Sequence, residues 1–257
     1  RRAAILEAGG WSHDTVTEDL DLSYRAQLQG WRFVYEDEIT APAELPSTMR
    51  AFLTQQHRWA KGTVQTARKL SGPLLRAPLP WPIRLEAINH LTMVAAYPMV
   101  FLLALLLPPS ILARASVLSD NWLWLDVLTV LATTGSISVF YGQALTRGGH
   151  SARARWWEIP AAMAVGIGCS ASQTIAVIEG LVSNDATFER TPKQGSRQRT
   201  RVVSAVPWIR ASVTGGMALY FMAALAWALS QGRLPERNPV CETAGKHKNE
   251  FAPLRIG

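Results

Sequence analysis

The sequence predicts a short α/β segment followed by an α-helical membrane region, and three observations carry that prediction. Residues 1–80 and 231–257 are polar whereas 85–230 are mostly apolar, so the mean hydropathy of +0.06 averages two unlike parts. Leu91 to Leu107 carry no charge, and with its flanks this run exceeds the roughly 20 residues that a membrane-crossing helix needs. Upstream, a helical pattern is followed by WRFVYED at 31–37, where Trp31, Phe33 and Tyr35 alternate as a short strand requires.

The chain has 257 residues, a length that suits one or two domains. It opens on RRAAILEAGGW, without the features of a signal peptide, and reads as the C-terminal part of a longer protein. A net charge of +7 and a pI near 9.8 are compatible with nucleic-acid binding. The long apolar blocks make membrane-flanking charge the better explanation, and no nucleic-acid partner is expected. Ten Trp, with Tyr and Phe near the block edges, suit an interfacial belt. Cys169 and Cys241, far apart, make neither a disulfide framework nor a zinc site.

Residues 1–46 read as the end of an α/β domain. In TVTEDLDLSYRAQLQG, Thr17 is a capping residue, Glu18 and Asp19 load the first turn with negative charge, and Gly30 ends the helix. EITAPAELP reads as a further strand or a loop. Residues 47–80 follow as an interfacial amphipathic helix, capped by Ser47 and running to about Leu70. Met49, Phe52, Leu53, Trp59, Ala60 and Val64 recur at helical spacing. Arg50, Arg58, Lys61, Arg68 and Lys69 make the polar side basic, the character of a helix lying in a membrane interface. SGPLLRAPLPWP is expected to break it.

Residues 81–146 hold two spans, at 85–113 and at 121–145, the second with Asp126 as its only charge. Residues 205–231 hold another, with Arg210 near its start, and 232–257 form a polar tail. Within 147–204, the stretch 159–182 is long enough to span yet rich in Gly, Ser, Gln and Thr. Whether it spans decides which side receives Arg190, Lys193, Arg197, Arg199 and Arg201 and which receives Arg233, Arg237, Lys246, Lys248 and Arg255. Five cations against five leave the positive-inside rule undecided.

Three short patterns carry chemistry. Thr17-Glu18-Asp19 sets two carboxylates at a helix start; the ordinary reading is capping charge, the functional one a general base. Gln55, Arg58 and Trp59 share one helical face, and they offer an amide, a planar guanidinium fork and a flat apolar ring. The ordinary reading there is an interfacial Trp–Arg anchor. His57 points elsewhere and reads as a surface polar residue. FERTPKQG, at 188–195, is a basic loop in which Thr191 and Lys193 are suited to phosphate oxygens, or else a charged membrane-side connector.

Taken in this order, the patterns resemble the processive, membrane-embedded family 2 glycosyltransferases of the cellulose synthase and cellulose-synthase-like mannan synthase type. TED at 17–19 matches that family's TED motif; Gln55, Arg58 and Trp59 match QxxRW. Phe188, Thr191 and Lys193 match its FxVTxK gating loop, with Arg190 where Val is usual. The resemblance runs from the first residues to about Gly195. It implies that 1–46 end a GT-A catalytic domain of a nucleotide-sugar transferase, cytoplasmic and attached to a bacterial inner (plasma) membrane. It also implies an inverting β-glycosyl transfer from a nucleotide-sugar donor to a growing polysaccharide acceptor. Asp19 would be the catalytic base. Glu18 would belong to the substrate-binding set, Trp59 would stack under the acceptor, and Gln55 and Arg58 would position acceptor and diphosphate. Phe188, Thr191 and Lys193 would close over the donor, which requires their loop on the side of Asp19 and so places 155–183 as an interfacial helix, leaving three spans.

The full-length enzyme would use a divalent metal, Mg or Mn, whose ligands are not in this chain; Asp19-Leu20-Asp21 has the letters of a DxD pair but lies within the TED helix. This chain alone is therefore expected to be inactive. Trp122, Trp124, Tyr141, Trp208 and Tyr220 read as lipid-facing aromatics before sugar-stacking ones. Two other functions stay open: a non-processive transferase that glycosylates a lipid, and a non-catalytic membrane channel or transport subunit in which Asp126 and Arg210 contact substrate. The donor, GDP-mannose or UDP-glucose among others, is not readable from these residues.

Overall fold

The structure is a computed structural model that describes residues 1–36, 38–39, 41–46, 48–117, 123–149, 153, 155–185 and 208–230. It divides into two units, residues 1–215 and 216–257; in the second, the described residues are the C-terminal part of one helix. Every regular element among the described residues is helical. In chain order these are α1 (Arg2–Glu7), α2 (Glu18–Leu28), α3 (Met49–Arg76), α4 (Trp81–Thr92), a 3-10 turn at Met93–Ala95, α5 (Ala96–Val117), α6 (Leu123–Arg147), α7 (Glu158–Val182) and α8 (Trp208–Ser230).

The expected strand at 31–37 is therefore not found, and the α/β character of residues 1–46 is not met among the described residues. Trp31 still folds back onto α1, its indole N–H donating to Glu7 Oε2 at 2.8 Å. Phe33, Val34 and Tyr35, however, are 66%, 79% and 88% exposed, so neither face of the segment is covered. A strand needs a neighbouring backbone to complete its ladder, and no described segment supplies one.

α2 begins and ends where the sequence indicates: Gly30 takes φ +88°, the left-handed conformation that stops a helix. Thr17 is the N-cap by position, but its side chain makes no capping bond. The cap of α3 is Thr48, which accepts from the Ala51 amide, where Ser47 was expected; Ser47 itself lies outside the described residues. α3 also runs past Leu70 and through Pro73 to Arg76. Proline removes one helical hydrogen bond there, but Leu70 and Leu74 are buried with Tyr24 and Leu91, and that burial offsets the loss. Arg84 then ties the turn to α4, donating to Leu79 O at 2.7 Å and Leu75 O at 3.2 Å.

α3 is the centre of the first unit. α2 packs on one side of it, α4 and the 3-10 turn on another, and α7 runs along a third while also packing on α5. Ala60 and Val64 meet Ala176, Val177 and Val94 in one cluster, flanked by Tyr97. Each fully buried valine there contributes roughly 1.5–3 kcal/mol. Small residues permit close approach: a Cβ on Gly180 would lie 2.8 Å from Lys61 O and 2.8 Å from Val64 Cβ.

Among the described residues, three helical stretches are long and apolar enough to cross a membrane, namely Trp81–Ser110, Val127–Arg147 and Glu158–Val182. The first fuses α4, the 3-10 turn and most of α5. In α6 the hydroxyls of Thr129, Thr133, Ser136 and Ser138 donate to carbonyls one turn back, so they need no outside partner. The expected third span falls on α8, whose described apolar stretch, Ser212–Trp227, is shorter than those three. α7, expected in the interface, has the length and composition of a span, as its sequence allows, with 44% of its apolar window buried against the protein.

Candidate functional site

The turn that carries Asp19 is docked on the middle of α3. Val16 donates its amide to Gln65 Oε1 at 3.0 Å, and the hydroxyls of Thr17 and Thr66 lie 3.3 Å apart, both residues buried. Gly62 makes this approach possible. A Cβ there would sit 2.5 Å from Thr17 Cγ2 and 2.8 Å from its backbone nitrogen. Gly62 and Thr66 follow Gln55 and Trp59 at i+7 and i+11 from Gln55, so all four lie along one side of α3. Thr17, which leads into Glu18 and Asp19, is thus docked on the stripe of α3 that also carries Gln55 and Trp59.

Asp19 is exposed in the first turn of α2, with Oδ1 2.8 Å from the Leu20 amide; Glu18 is half-buried. Trp59 is 47% exposed, leaving ring surface open to a ligand, and Gln55 and Arg58 are half-buried. An exposed carboxylate, an open indole and polar side chains on one side of a helix provide a proton acceptor, a stacking surface and hydrogen-bonding groups.

Asp21 does different work from Asp19. It is fully buried, and Arg25 lies 2.7 Å from its Oδ2 and Lys69 Nζ 2.9 Å from its Oδ1. Arg25 also donates to the carbonyls of Ala8 and Gly10, while Lys69 reaches Asp14 at 2.8 Å. The second carboxylate of Asp19-Leu20-Asp21 is therefore engaged in holding α1, α2 and α3 together. Among the described residues no three His, Cys, Asp or Glu side chains gather to hold a metal.

His57 is corrected by the structure. It is buried, not surface polar, and its Nε2 lies 2.9 Å from Glu179 Oε2 with Nδ1 3.5 Å from Ser172 O. Lys61 approaches the same carboxylate at 4.0 Å. The basic side of α3, expected to face lipid headgroups, is in large part turned to protein. Arg68 donates to Gly180 O at 3.0 Å and Asn184 Oδ1 at 3.2 Å, and Lys69 is held by Asp14 and Asp21.

Phe188, Thr191 and Lys193, with Trp122 and the side chains of Asp126, Arg210 and Trp208, lie outside the described residues. Trp124 is 60% exposed on α6, as a lipid-facing aromatic would be. Sequence reasoning missed Gly62, Gln65 and Thr66. A glycine inside a strong helical pattern was the available signal, because it costs about 1 kcal/mol against alanine and persists where a backbone comes close. Gln65 left no such trace, since its partners are remote in sequence.

Residues 1–117 match the family model described as Glycosyl transferase family group 2. That match contains Thr17-Glu18-Asp19 and Gln55 to Trp59, and Phe188, Thr191 and Lys193 fall beyond it. The chain is 50% identical over 76 residues to Glucomannan 4-beta-mannosyltransferase 2 of Arabidopsis thaliana, a stretch covering 30% of this chain and 14% of that protein. It is 43% identical over 77 residues to Glucomannan 4-beta-mannosyltransferase 7 of the same plant, covering 30% and 14%. It is 47% identical over 76 residues to Glucomannan 4-beta-mannosyltransferase 1 of Oryza sativa subsp. japonica, covering 30% and 15%. The matched part of the chain thus spans only about one seventh of these relatives. No solved structure matches the chain.

Proposed function

We propose that this chain is part of a membrane-embedded, inverting β-glycosyltransferase that moves a sugar from a nucleotide-sugar donor onto a growing polysaccharide. One observation carries the reading: Gly62, Gln65 and Thr66 hold the turn before Asp19 on the side of α3 that also bears Gln55 and Trp59. The family match over 1–117 supports glycosyl transfer, and the mannosyltransferase names of the similar proteins make a mannosyl donor the first to test.

In this reading the acceptor hydroxyl attacks the anomeric carbon from the face opposite the leaving group. The new C–O bond forms as the bond from that carbon to the diphosphate oxygen breaks. Asp19 takes the hydroxyl proton, Trp59 stacks on the apolar face of the acceptor sugar, and Gln55 and Arg58 orient acceptor and diphosphate. Glu18, Phe188, Thr191 and Lys193 complete the substrate-binding set, the last three closing over the donor. α7 lies in the interface on the Asp19 side, and the polymer leaves through protein-lined space because its hydroxyls cannot cross hydrocarbon unpartnered.

The test is Asp19→Asn in the full-length protein, assayed in membranes with radiolabelled nucleotide sugars and sized product. Polymer synthesis is expected to fall by roughly 10²–10⁴-fold, the range that a positioned general base contributes. Synthesis at the unmodified rate would remove Asp19 from the mechanism. A product of glycolipid mass in the unmodified enzyme would replace polymer extension by single-sugar transfer.

A further inference from the structure

Gln65 is buried to 5% exposure in the middle of α3, and its side-chain hydrogen bonds leave the helix. Its Oε1 accepts from the Val16 amide at 3.0 Å, three residues before Asp19. Its Nε2 donates to Ser183 O at 3.3 Å and Asp185 O at 3.1 Å, immediately beyond the C-terminus of α7. One planar amide therefore spans two segments more than 160 residues apart, with its acceptor on one and both donor hydrogens on the other. The polarity of these partners demands glutamine: glutamate would set a carboxylate against two carbonyl oxygens, and lysine would offer nothing to the Val16 amide.

The surroundings make this link consequential. Residues 11–17 belong to no helix, so the position of α2's first turn rests on contacts with α3. The end of α7 is likewise held from α3, by Gln65 and by Arg68 on Gly180 O and Asn184. We propose that Gln65 is a positioning residue: it sets the height of the Asp19 turn above α3 according to where the α7 C-terminus sits, so that the two move together. The catalytic consequence rests on the general-base reading of Asp19; the mechanical link does not. The glutamine touches neither substrate nor the reacting atoms.

Gln65→Met in the full-length protein keeps an unbranched side chain of similar size and removes every bond. Hydrogen–deuterium exchange should then rise about 5-fold in peptides covering 14–20 and 178–185 alike, the change expected from losing roughly 1 kcal/mol of hydrogen bonding, while 22–28 keep their rate. Turnover should fall about 10- to 100-fold with donor KM within about twofold, the signature of lost transition-state alignment with binding retained. Gln65→Glu supplies a second readout, and stands in if the methionine variant does not accumulate. Protonated, it still accepts from Val16 and donates to one carbonyl; ionised, it faces two carbonyls. Its turnover relative to the unmodified enzyme should therefore climb as pH falls.

Faster exchange in only one segment, or in neither, overturns the link. Paired exchange with unchanged turnover overturns the positioning role in catalysis. Asp19→Asn, measured beside these variants, separates the two failures: if it is inactive while the Gln65 variants are normal, this inference alone falls; if it is active, the general-base reading falls and the exchange data still judge the link.

Discussion

Gly62 marks a close approach between the start of α2 and α3, and the contact with Thr17 is with backbone as well as side chain. A methyl group at 62 would lie 2.8 Å from the Thr17 nitrogen, so the Asp19 turn must lift or α3 must bend. Gly62→Ala is expected to destabilise the protein by about 1–3 kcal/mol, the usual cost of overpacking. It should also reduce turnover more than substrate binding. Thermal unfolding and steady-state kinetics of the full-length enzyme check both; unchanged values would mean that the turn is not held against α3. The same residue shows what a pattern conveys. A helical glycine at i+3 from Trp59 was visible, but its neighbour Thr17 was not, because 45 residues of chain separate them. His57 failed for a related reason: its helix position was right, but Glu179, which makes burial tolerable, arrives from α7.

At the scale of elements, the clamp between α2 and α3 is electrostatic, and its pH range follows from two shifts. Burial raises the Asp14 carboxyl, but hydrogen bonds from Lys69 and Ser12 outweigh it and hold the group below its ordinary 3.8. Burial lowers Lys69, yet Asp14 and Asp21 outweigh that and hold the ammonium above its ordinary 10.5. A depressed carboxyl stabilises above its unfolded value and loses that contribution as pH falls through the folded one. A raised ammonium stabilises below its unfolded value and loses the contribution as pH rises through the folded one. Lys69→Met should therefore lower the melting temperature most across the neutral range, with the difference from the unmodified protein shrinking below about pH 4 and above about pH 10. A difference independent of pH would show that Lys69 acts by packing alone. The elements themselves divide by the range of their determinants. α2, α3 and α5 were readable because capping, periodicity and apolar length are local. The strand at 31–37 was not, since alternation describes a face and says nothing about a pairing partner. The helix does end within SGPLLRAPLPWP, but at Arg76 and not near Leu70, because the packing of Leu70 and Leu74 on Tyr24 and Leu91 is tertiary.

For the whole molecule, the open choice is the lie of α7. Its composition allows a span, while its C-terminal half packs on α3 and delivers Ser183 and Asp185 to Gln65. In the proposed arrangement both of its ends face the side of Asp19. Single cysteines replacing Trp157 and Val182, both exposed, should then react with a membrane-impermeant maleimide from the same side of sealed vesicles, in a background lacking Cys169 and Cys241. Labelling from opposite sides would make α7 a span and remove the interfacial assignment. By itself the sequence determined the helices with local signals, the long apolar runs, and the motif residues on α2 and α3, because each depends on neighbours a few positions away. Only the tertiary structure decided that the segment before Asp19 docks on Gly62, Gln65 and Thr66, that His57 is buried, and that the basic side of α3 serves α2 and α7. Those outcomes depend on backbone approach and on paired burial of polar groups, which arise only when distant segments meet.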